Sequence, residues 1–478
     1  MTGMRRTKIV CTLGPATSEE REIEKLARAG MNVARLNFSH GDHASHGEMM
    51  RKVKAVRERL GLPLALMLDT KGPEIRIGTF EKGKIYLHNG DEFTLTTNAV
   101  AGDEHRVSVT SCDLPRDLVR GSRVLLDDGL VELVAEELTD TDIRCRVVNG
   151  GFLSDHKGVN IPDVIVRLPA LTDRDISDLQ FGVEQGVDYV AASFIRNAGD
   201  VKAIRQVLKD AGGEGIHIIA KIENREGVAN IDAILEAADG IMVARGDLGV
   251  EIPLEEVPQV QKSLIQKANL LGKPVITATQ MLESMTENPR PTRAEASDVA
   301  NAIYDGSDAV MLSGETAKGK YPVAAVAMMA RIAVETEKNI DYVQRLNSTL
   351  TPETDSVTNA IGHAAATIAA ELHTACIATV TKSGFTARMV ARFRPVCAIV
   401  ASTTDERVWR QMNMVWGLIP VLDQEEAWEH AVFQTALQAA VRAGAAEPGE
   451  LVVLSMGIPV GVTGTTNTLR VVQVPGKE

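Results

Sequence analysis

The sequence lacks the features that mark a membrane protein, a zinc protein or a disulfide-linked protein. Its five cysteines stand singly, with no C-x-x-C pair, which argues against a zinc ribbon or a redox dithiol and favours buried thiols in a reducing compartment. No apolar run, at the N-terminus or elsewhere, approaches the roughly 18 residues of a membrane span. From these absences we expect a cytoplasmic protein with no membrane partner.

Positive charge is also in deficit. Lys and Arg number 51 against 64 Asp and Glu, which gives a net charge of −13. A general nucleic-acid binder needs a basic face for the phosphates, so no nucleic-acid partner is expected, although a local cationic pocket remains compatible with this balance. What the chain does have is length and apolar content: its 478 residues, 44% of them hydrophobic, suffice for two to four domains of about 100–200 residues each.

Short apolar runs recur along the chain, each ending in polar residues or glycine, and all except the third are soon followed by a segment of helical period. The eight runs are 9–13, 33–36, 64–68, 189–194, 217–222, 241–244, 275–279 and 309–312. The amphipathic stretches between them include 18–29, 44–60, 200–211, 254–271 and 292–304. Eight alternations of strand and helix favour an α/β fold of the (β/α)8 TIM-barrel class, with a doubly wound sheet as the alternative.

The pattern changes after the third run. Residues 71–167 alternate short strands with turns such as Asp127-Asp128-Gly129, which predicts a small all-β domain inserted into a barrel loop as a lid. The strands predicted there are 84–87, 92–96, 106–109, 123–126, 131–134 and 143–148. After residue 337 a further alternation, with strands at 376–380, 398–401, 451–454 and 469–472, predicts a separate α/β domain. The expected boundaries are 1–70 and 168–338 for the barrel, 71–167 for the lid and 339–478 for the C-terminal domain.

The ends of the predicted barrel strands are unusually polar. A barrel builds its active site at the carboxyl ends of its strands, so the residues that follow each run should converge on one pocket. They include Thr12, 35–40, 69–71, Ser193, 221–224, 245–247, Thr277, 279–280 and 313–316.

Two carboxylates, Glu223 and Asp247, end neighbouring predicted strands. Oxygen ligands so placed suit a hard cation such as Mg²⁺, which keeps water and substrate oxygens in its remaining positions. Lys221 precedes Glu223 by two residues and therefore lies on the same side of the strand. Taken alone, this pair is as readily an ordinary surface ion pair. Because all eight strand ends are polar, we favour a site that stabilises an anion, either a phosphoryl group in transfer or an enolate.

Further cations and backbone amides suit anionic ligands. Arg35, Arg76 and Lys157 supply the charge needed to hold a polyanionic nucleotide, although Arg35 alone would equally suit a salt bridge on the barrel rim. Residues 245–249 offer backbone N–H groups at a glycine-containing turn, which suits a substrate carboxylate. A simple turn is the alternative there.

Seven segments resemble the pyruvate kinase family, in the family's order and across nearly the whole chain. They are KIVCTLGP (8–15), ARLNFSHG (34–41), LDTKGPEIR (68–76), KIEN (221–224), ARGDLG (244–249), ATQMLESM (278–285) and MLSGETA (311–317). The resemblance implies a barrel, an inserted β-rich lid and a C-terminal regulatory domain. It also implies the transfer of a phosphoryl group from phosphoenolpyruvate to ADP, which gives pyruvate and ATP in glycolysis.

The resemblance implies roles for the residues around the transferring group. Glu223 and Asp247 would bind the catalytic Mg²⁺ or Mn²⁺, Lys221 would neutralise charge that develops during transfer, and Arg35 would hold the phosphoryl group. The amides of Gly246 and Asp247, with the Thr279 hydroxyl, would receive the substrate carboxylate. Thr279 and Ser313 would lie near the enolate, but a hydroxyl is too weak an acid to be the sole proton source, so a water relay is expected.

Nucleotide and potassium sites follow from the same resemblance. The implied nucleotide-binding residues are Asn37, His40, Arg76, Asp128 and Lys157. The implied K⁺ ligands are Asn37, Ser39, Asp69 and Thr70, whose oxygens suit a large monovalent ion. Family members that need K⁺ tend to carry Glu at the position of Glu74, whereas members that do not tend to carry Lys. An ion pair between Glu74 and a lid lysine is the alternative, and Asp128 is as readily a turn residue.

The C-terminal domain contains a segment that resembles the family's effector-phosphate loop. Its residues are Thr381, Lys382, Ser383, Gly384 and Thr386. Phe385 stands where some versions of the loop carry Arg or Lys, so a sugar monophosphate is as compatible with the loop as a bisphosphate. A homotetramer is implied by the resemblance alone. The rival hypotheses are a Mg²⁺-dependent enolate aldolase on the same barrel and an inactive sugar-phosphate sensor; Lys221, Glu223, Asp247 and Thr279 argue against the sensor.

Overall fold

The computed structural model describes residues 4–348, 356–424, 431–459 and 464–476. Eight parallel strands close into a barrel, in which the last strand pairs with the first. The strands are Lys8–Thr12, Val33–Asn37, Ala65–Asp69, Tyr189–Ala192, His217–Ile222, Gly240–Ala244, Val275–Ala278 and Ala309–Leu312. All eight predicted runs supply barrel strands, so the TIM-barrel prediction is confirmed and the doubly wound alternative is wrong for this part of the chain.

Alternate side chains of each barrel strand face two different cores. In the first strand Val10 belongs to the cluster inside the barrel, whereas Ile9 and Cys11 belong to the cluster between the barrel and its helices. Strands that are covered on both faces read as near-continuous apolar runs rather than as alternating ones. Polar side chains therefore collect at the strand ends.

Helices surround the barrel, and several of them begin at recognisable caps. The Thr292 hydroxyl accepts a hydrogen bond from the Glu295 amide at 3.2 Å, and the Glu295 carboxylate accepts one from the Thr292 amide at 2.7 Å. This reciprocal capping box fixes the start of the helix that the sequence predicts at 292–304. The helices around the barrel are Glu20–Ala29, His43–Leu60, Asp173–Glu184, Ala198–Asp210, Arg225–Ala229, Ile231–Ala237, Arg245–Glu251, Val257–Leu270, Arg293–Asp305, Gly314–Ala317 and Pro322–Lys338, with single 3₁₀ turns at Pro15–Thr17 and Glu283–Thr286.

The segment between the third and fourth barrel strands forms a seven-stranded sheet and a two-stranded sheet around their own apolar core. Its strands are Ile75–Arg76, Lys84–Leu87, Glu92–Thr96, Arg106–Ser108, Arg123–Leu126, Val131–Leu138, Asp142–Asn149, Gly151–Ser154 and Gly158–Asn160. The six predicted strands are present. The other three are two to four residues long, too short to show a period, and a four-residue helix at Leu114–Asp117 means that the unit is not purely β.

The C-terminal part forms a five-stranded sheet with helices packed against it. Its described strands are Cys376–Val380, Ala398–Thr403, Leu418–Leu422, Leu451–Gly457 and Thr466–Gln473, and its helices are Val357–Glu371, Phe385–Ala391, Glu406–Met412 and Val432–Arg442, preceded in the chain by Tyr342–Ser348. The sequence did not predict Leu418–Leu422. This strand lies at the sheet edge and contains Pro420, which an edge strand tolerates because one side of it needs no ladder hydrogen bonds.

The C-terminal sheet unit docks on the amino-terminal ends of the barrel strands. Arg410 Nε lies 2.8 Å from Asp188 Oδ1, and Lys8 Nζ donates to the Leu418 carbonyl at 2.7 Å. Asp188 directly precedes the fourth barrel strand and Lys8 begins the first. The polar carboxyl ends of the strands therefore stay open on the opposite side of the barrel. Within the described residues, no helix is both long and apolar enough to cross a bilayer.

Candidate active site

Lys221 lies at the centre of the polar end of the barrel. Its ammonium nitrogen is 3.1 Å from Asp69 Oδ1, 2.7 Å from Ser193 Oγ and 3.0 Å from Glu223 Oε1. The three neighbours follow or end three different barrel strands, so the convergence depends on barrel closure. An ammonium has three hydrogens, and each has a partner here. Burial alone would lower the pKa of Lys221, but Asp69 and Glu223 outweigh it and raise that pKa, so the side chain remains a cation.

Asp69 divides its carboxylate between two cations. Arg35 Nε donates to Asp69 Oδ2 at 2.6 Å, and Arg35 Nη1 donates to the Thr12 hydroxyl at 2.7 Å. Burial would raise the pKa of Asp69, but Arg35 and Lys221 reverse the shift and lower it. Asp69 thus holds two buried cations side by side, which suits a pocket for an anionic group.

Glu223 and Asp247 form the candidate divalent-metal site. Burial raises the pKa of Glu223 to about 7, against the opposing effect of Lys221, and the charge of Asp247 adds to the rise. Burial also raises the pKa of Asp247, and Asp128 adds to that shift. A buried carboxylate and a half-buried one that repel each other fit a hard divalent cation. No group of three or more His, Cys, Asp or Glu side chains suited to a metal occurs in the described parts of the chain, so water or substrate oxygens would complete the coordination.

Thr279 has a strained backbone at the end of the seventh barrel strand. Its φ is 68°, which is unusual for a β-branched residue. Arg245 holds this backbone, because its guanidinium donates to the Thr279 carbonyl at 2.7 Å and is anchored on Asp298. The Thr279 hydroxyl accepts from the Gly246 amide at 2.8 Å. Thr279 and Gly246, both expected to receive a carboxylate, are therefore adjacent, and they bind each other here.

Ser313 lies at the end of the eighth strand, where a buried carboxylate fixes its backbone. The Ser313 amide donates to Glu315 Oε2 at 2.7 Å, and the Leu282 amide donates to Glu315 Oε1 at 3.0 Å. Burial raises the pKa of Glu315. Glu315 thus joins the loops that follow the seventh and eighth strands and sets the position of Ser313.

The four expected K⁺ ligands lie together at the ends of the second and third strands. Asn37 pairs in register with Asp69, and its side-chain oxygen accepts from the Ser39 amide at 3.1 Å. The Thr70 hydroxyl accepts from the Ser193 amide at 3.1 Å. Since Arg35 and Lys221 already use both Asp69 oxygens, a K⁺ ion would share this carboxylate with them.

The expected nucleotide residues divide into two groups. Arg76, Asp128 and Lys157 line a cleft of about 750 Å³ between the inserted sheet and the barrel, together with Asp247. Asn37 and His40 are outside the residues that line this cleft. His40 is exposed after the second strand, and its carbonyl accepts from His46 Nε2 at 2.7 Å. The cleft is within the usual size range of a small-molecule site.

Ion pairs occupy the cationic groups of the cleft. Arg76 makes two hydrogen bonds to the Glu74 carboxylate, at 2.6 and 3.0 Å, and Lys71 lies 3.3 Å from the same group. Lys157 Nζ is 2.8 Å from Asp127 Oδ1. Glu74 therefore pairs with Arg76 and Lys71, and a nucleotide phosphate would have to compete with Glu74 and Asp127 for these cations.

The expected effector loop follows the first strand of the C-terminal sheet and leads into helix Phe385–Ala391. Gly384 adopts φ 73°, and Arg388 Nη1 donates to the Ser383 carbonyl at 3.0 Å. The Thr386 hydroxyl is 2.9 Å from that of Thr466. Thr381, Lys382, Ser383 and Gly384 thus form the turn between strand and helix, and Thr386 lies in the first turn of the helix.

The sequence analysis assigned no role to the side chains of two residues of the site, Ser193 and Arg245. Ser193 stands among the polar strand ends, but its hydroxyl joins Lys221 to the Thr70 carbonyl, at 2.7 Å to each. Arg245 belongs to the ARGDLG segment, yet its contact with Thr279 crosses between neighbouring strands. Their positions at strand ends were visible in the sequence. The partners named here, which lie 28 to 123 residues away in the chain, were not.

Comparisons with known proteins agree with this architecture. A profile of the pyruvate kinase barrel domain matches residues 4–326, and one of the pyruvate kinase alpha/beta domain matches residues 359–472. The chain is 49% identical over 469 residues to a pyruvate kinase of Clostridium acetobutylicum, which covers 98% of this chain and 99% of the relative. It is 51% identical over 469 residues to one of Geobacillus stearothermophilus and 50% identical over 470 residues to one of Staphylococcus epidermidis, in both cases over 98% of this chain and 80% of the relative. With its closed barrel, inserted sheet and C-terminal α/β unit, the chain belongs to the pyruvate kinase family of phosphotransferases.

Proposed function

We propose that the polar end of the barrel transfers the phosphoryl group of phosphoenolpyruvate to ADP with Lys221 at its centre. The observation that carries this proposal is the position of the Lys221 ammonium between Asp69, Ser193 and Glu223. A buried cation of fixed geometry stabilises charge as it develops, and it needs little reorganisation during the reaction. Such a group favours a reaction in which negative charge moves from a phosphoryl group to an enolate.

The reaction breaks the bond between phosphorus and the enol oxygen and forms one between phosphorus and a β-phosphate oxygen of ADP. Arg35, held by Asp69, binds the transferring group from the side of the second strand. Lys221 neutralises charge on the departing enol oxygen. The resulting enolate takes a proton at its methylene carbon and becomes pyruvate. Thr279 and Ser313 would order the water that delivers this proton, since a hydroxyl alone is a weak acid.

The substrate carboxylate is proposed to bind at the turn after the sixth strand. The amides of Gly246 and Asp247 and the Thr279 hydroxyl are suited to an anion. Because the Gly246 amide donates to Thr279 in this structure, the carboxylate would replace that hydrogen bond. Arg245 would keep Thr279 in position during the exchange.

Two cations are proposed to complete the site. Glu223 and Asp247 would hold Mg²⁺ or Mn²⁺, and a divalent ion supplies Lewis-acid stabilisation of phosphoryl and enolate oxygens when bound. Asn37, Ser39, Asp69 and Thr70 would hold K⁺. Arg76, Lys157, Asn37, His40 and Asp128 are proposed to contact ADP or its metal. Arg76 and Lys157 would exchange Glu74 and Asp127, which belong to the same inserted segment, for phosphate.

The remaining parts of the proposal concern organisation. We propose that residues 71–167 act as a lid on the barrel segments 1–70 and 168–338, and that residues 339–478 form a regulatory domain. A phosphorylated sugar is the proposed effector at the Thr381 loop, and a homotetramer the proposed assembly. A reducing cytoplasm is the proposed location, because all five cysteines are free and four of them are buried.

The test is a coupled assay of pyruvate formation from phosphoenolpyruvate and ADP with Mg²⁺ and K⁺, run on the wild type and on Lys221→Met. Pyruvate and ATP in equal amounts from the wild type, with kcat reduced at least about a hundredfold in a folded variant, would support the proposal. An aldolase would form no pyruvate from phosphoenolpyruvate, but it would release pyruvate by carbon–carbon cleavage of a 4-hydroxy-2-oxo acid without ADP. A sensor would form pyruvate from neither. Near wild-type kcat in Lys221→Met would contradict the role of the lysine.

A further inference from the structure

A narrow crevice lies between the barrel and the C-terminal unit, away from the catalytic end. It lies between the turn at Gly272 and helix Phe385–Ala391, which are so close that a Cβ on Gly272 would be 2.9 Å from the sulfur of Met389. Four cationic side chains and a single carboxylate are among the residues that line it. The cations are Lys273, Arg388, Arg392 and Arg394, and the carboxylate is Asp308.

The one carboxylate is already neutralised. Arg394 makes two hydrogen bonds to Asp308, with Nη1 at 3.0 Å from Oδ1 and Nη2 at 3.1 Å from Oδ2. Lys273 Nζ donates to the Ala238 carbonyl at 2.6 Å, and a carbonyl offers no formal charge. The lining of the crevice therefore keeps an excess of positive charge.

The guanidinium of Arg392 has N–H groups that lack an acceptor within the described residues. Its side chain is 5% exposed, and its only described hydrogen-bond acceptor is Asn359 Oδ1, 2.7 Å from Nη1. Nε and Nη2 of Arg392 are buried without an acceptor in the described part of the chain, as is Nε of Arg394. The guanidinium carbon lies over the ring of Phe393, 4.8 Å from the ring centroid. N–H groups in the plane of a stacked guanidinium do not point at the ring, so Phe393 is not their acceptor. Burial lowers the pKa of Arg392 to about 10.

Unpaired donors on a buried cation are costly, so an unseen acceptor is expected. A water molecule would accept hydrogen bonds, but it would leave the charge uncompensated. An anion would accept the hydrogen bonds and also compensate the charge. The cavity volume of about 10 Å³ has room for about one water-sized particle, which excludes a tetrahedral oxyanion unless side chains move.

We propose that this crevice binds a single monatomic anion of the halide class, chloride in solution, through the unpaired guanidinium N–H groups of Arg392. Arg394 and Arg388 add charge from the neighbouring positions. The anion lies between the barrel turn and the C-terminal helix, and it stabilises their contact.

Crystals of the wild type grown without halide and soaked in potassium bromide provide the first test. An anomalous bromide peak within hydrogen-bond distance of Arg392 is the expected result. A crevice that holds only water, or nothing, would overturn the proposal, and a tetrahedral oxyanion from a matched phosphate soak would overturn the assignment to a monatomic anion.

Thermal unfolding in solution provides the second test. The wild type is compared in potassium chloride and in potassium gluconate at equal K⁺ concentration, because gluconate is too bulky for the crevice. Chloride is expected to raise the Tm saturably by about 2 °C or more. In Arg392→Gln the half-saturating chloride concentration should rise roughly tenfold or more.

Arg331→Gln is the matched control. It makes the same change of charge on an exposed barrel helix, away from the crevice. The control should respond to chloride as the wild type does. Equal responses of Arg392→Gln and the wild type would contradict the proposal, and the bromide experiment decides the question if Arg392→Gln does not fold.

Discussion

At the scale of single residues, the site depends on groups that orient the charged ones. Ser193 accepts from Lys221 and donates to the Thr70 carbonyl, so its hydroxyl fixes one of the three ammonium hydrogens. Gly72 permits this approach, because a Cβ there would lie 2.8 Å from Cβ of Ser193. The sequence predicted Lys221, Glu223 and their shared strand face from a two-residue spacing. It could not predict Ser193 as their partner, because that contact depends on how neighbouring strands align.

Ser193→Ala should therefore impair catalysis more than substrate binding. Without the hydroxyl, one ammonium hydrogen loses its acceptor and Lys221 is less well oriented, so kcat should fall about tenfold with a smaller change in KM for phosphoenolpyruvate. Steady-state kinetics measure both constants. Ser193→Thr keeps the hydroxyl and should recover most of the activity. Equal losses in both variants would indicate a packing defect, and an unchanged kcat in Ser193→Ala would contradict the positioning role.

Glu74 carries a prediction about potassium. Phosphoenolpyruvate and ADP bring a large negative charge to a pocket that already holds Glu223 and Asp247, so an added cation should favour the loaded complex. We expect K⁺ to activate the wild type roughly tenfold or more, with less activation by Na⁺. Glu74→Lys should relieve this requirement, because its ammonium replaces the charge of the ion.

The control for this prediction is Glu74→Gln. It removes the ion pairs with Arg76 and Lys71 without adding charge, and so it should remain dependent on K⁺. The assay replaces K⁺ with a bulky organic cation at constant ionic strength. Full activity of the wild type without K⁺ would refute the prediction. Relief in both variants would assign the effect to the freed Arg76 rather than to the added charge.

At the scale of elements, the pattern of the sequence was enough to place every barrel strand but only part of the two smaller units. The barrel strands are covered on both faces, so each appears in the sequence as a continuous apolar run that is long enough to recognise. Strands such as Ile75–Arg76 and Gly158–Asn160 are neighbours at one edge of the inserted sheet, and only their pairing with adjacent strands defines them. Leu418–Leu422 was missed for another reason, since its proline obscures an edge strand that the partner Ala398–Thr403 organises.

The turn between the first C-terminal strand and helix Phe385–Ala391 is the element proposed to bind an effector phosphate. Saturating glucose 6-phosphate or ribose 5-phosphate should lower the apparent KM of the wild type for phosphoenolpyruvate roughly fivefold or more. Ser383→Asp should abolish this response, because its carboxylate repels the phosphate. The basal kcat should stay unchanged, since the loop is far from the catalytic end of the barrel.

Thr404→Asp is a suitable control for this loop. It adds the same charge to an exposed hydroxyl position that follows the neighbouring strand, and it should keep the response. Rates measured over a range of phosphoenolpyruvate concentrations, with and without effector, distinguish the variants. Activation that persists in Ser383→Asp would place the effector elsewhere, and a loss in both variants would reflect general charge repulsion in this part of the molecule.

At the scale of the whole molecule, the contact between the barrel and the C-terminal unit contains a buried lysine. Lys8 Nζ donates to the Leu418 carbonyl at 2.7 Å, and the side chain is 6% exposed. Burial, reinforced by the charge of Arg5, lowers the pKa of Lys8 from 10.5 to about 7. An uncharged amine still donates a hydrogen bond, so the folded protein retains the contact after Lys8 loses its proton.

This lysine should make stability depend on pH in a defined window. Between about pH 7 and pH 10.5 the unfolded chain holds a proton on Lys8 that the folded chain has released, so the free energy of unfolding should rise with pH. Below pH 7 both states are protonated and the penalty is constant. The expected slope is about 1 kcal/mol per pH unit near pH 8 to 9. Lys8→Met, which keeps an unbranched chain in the same space, should lack this part of the slope. Urea unfolding of both proteins at several pH values measures the difference, and parallel curves for the two would show that Lys8 has an ordinary pKa in the folded state.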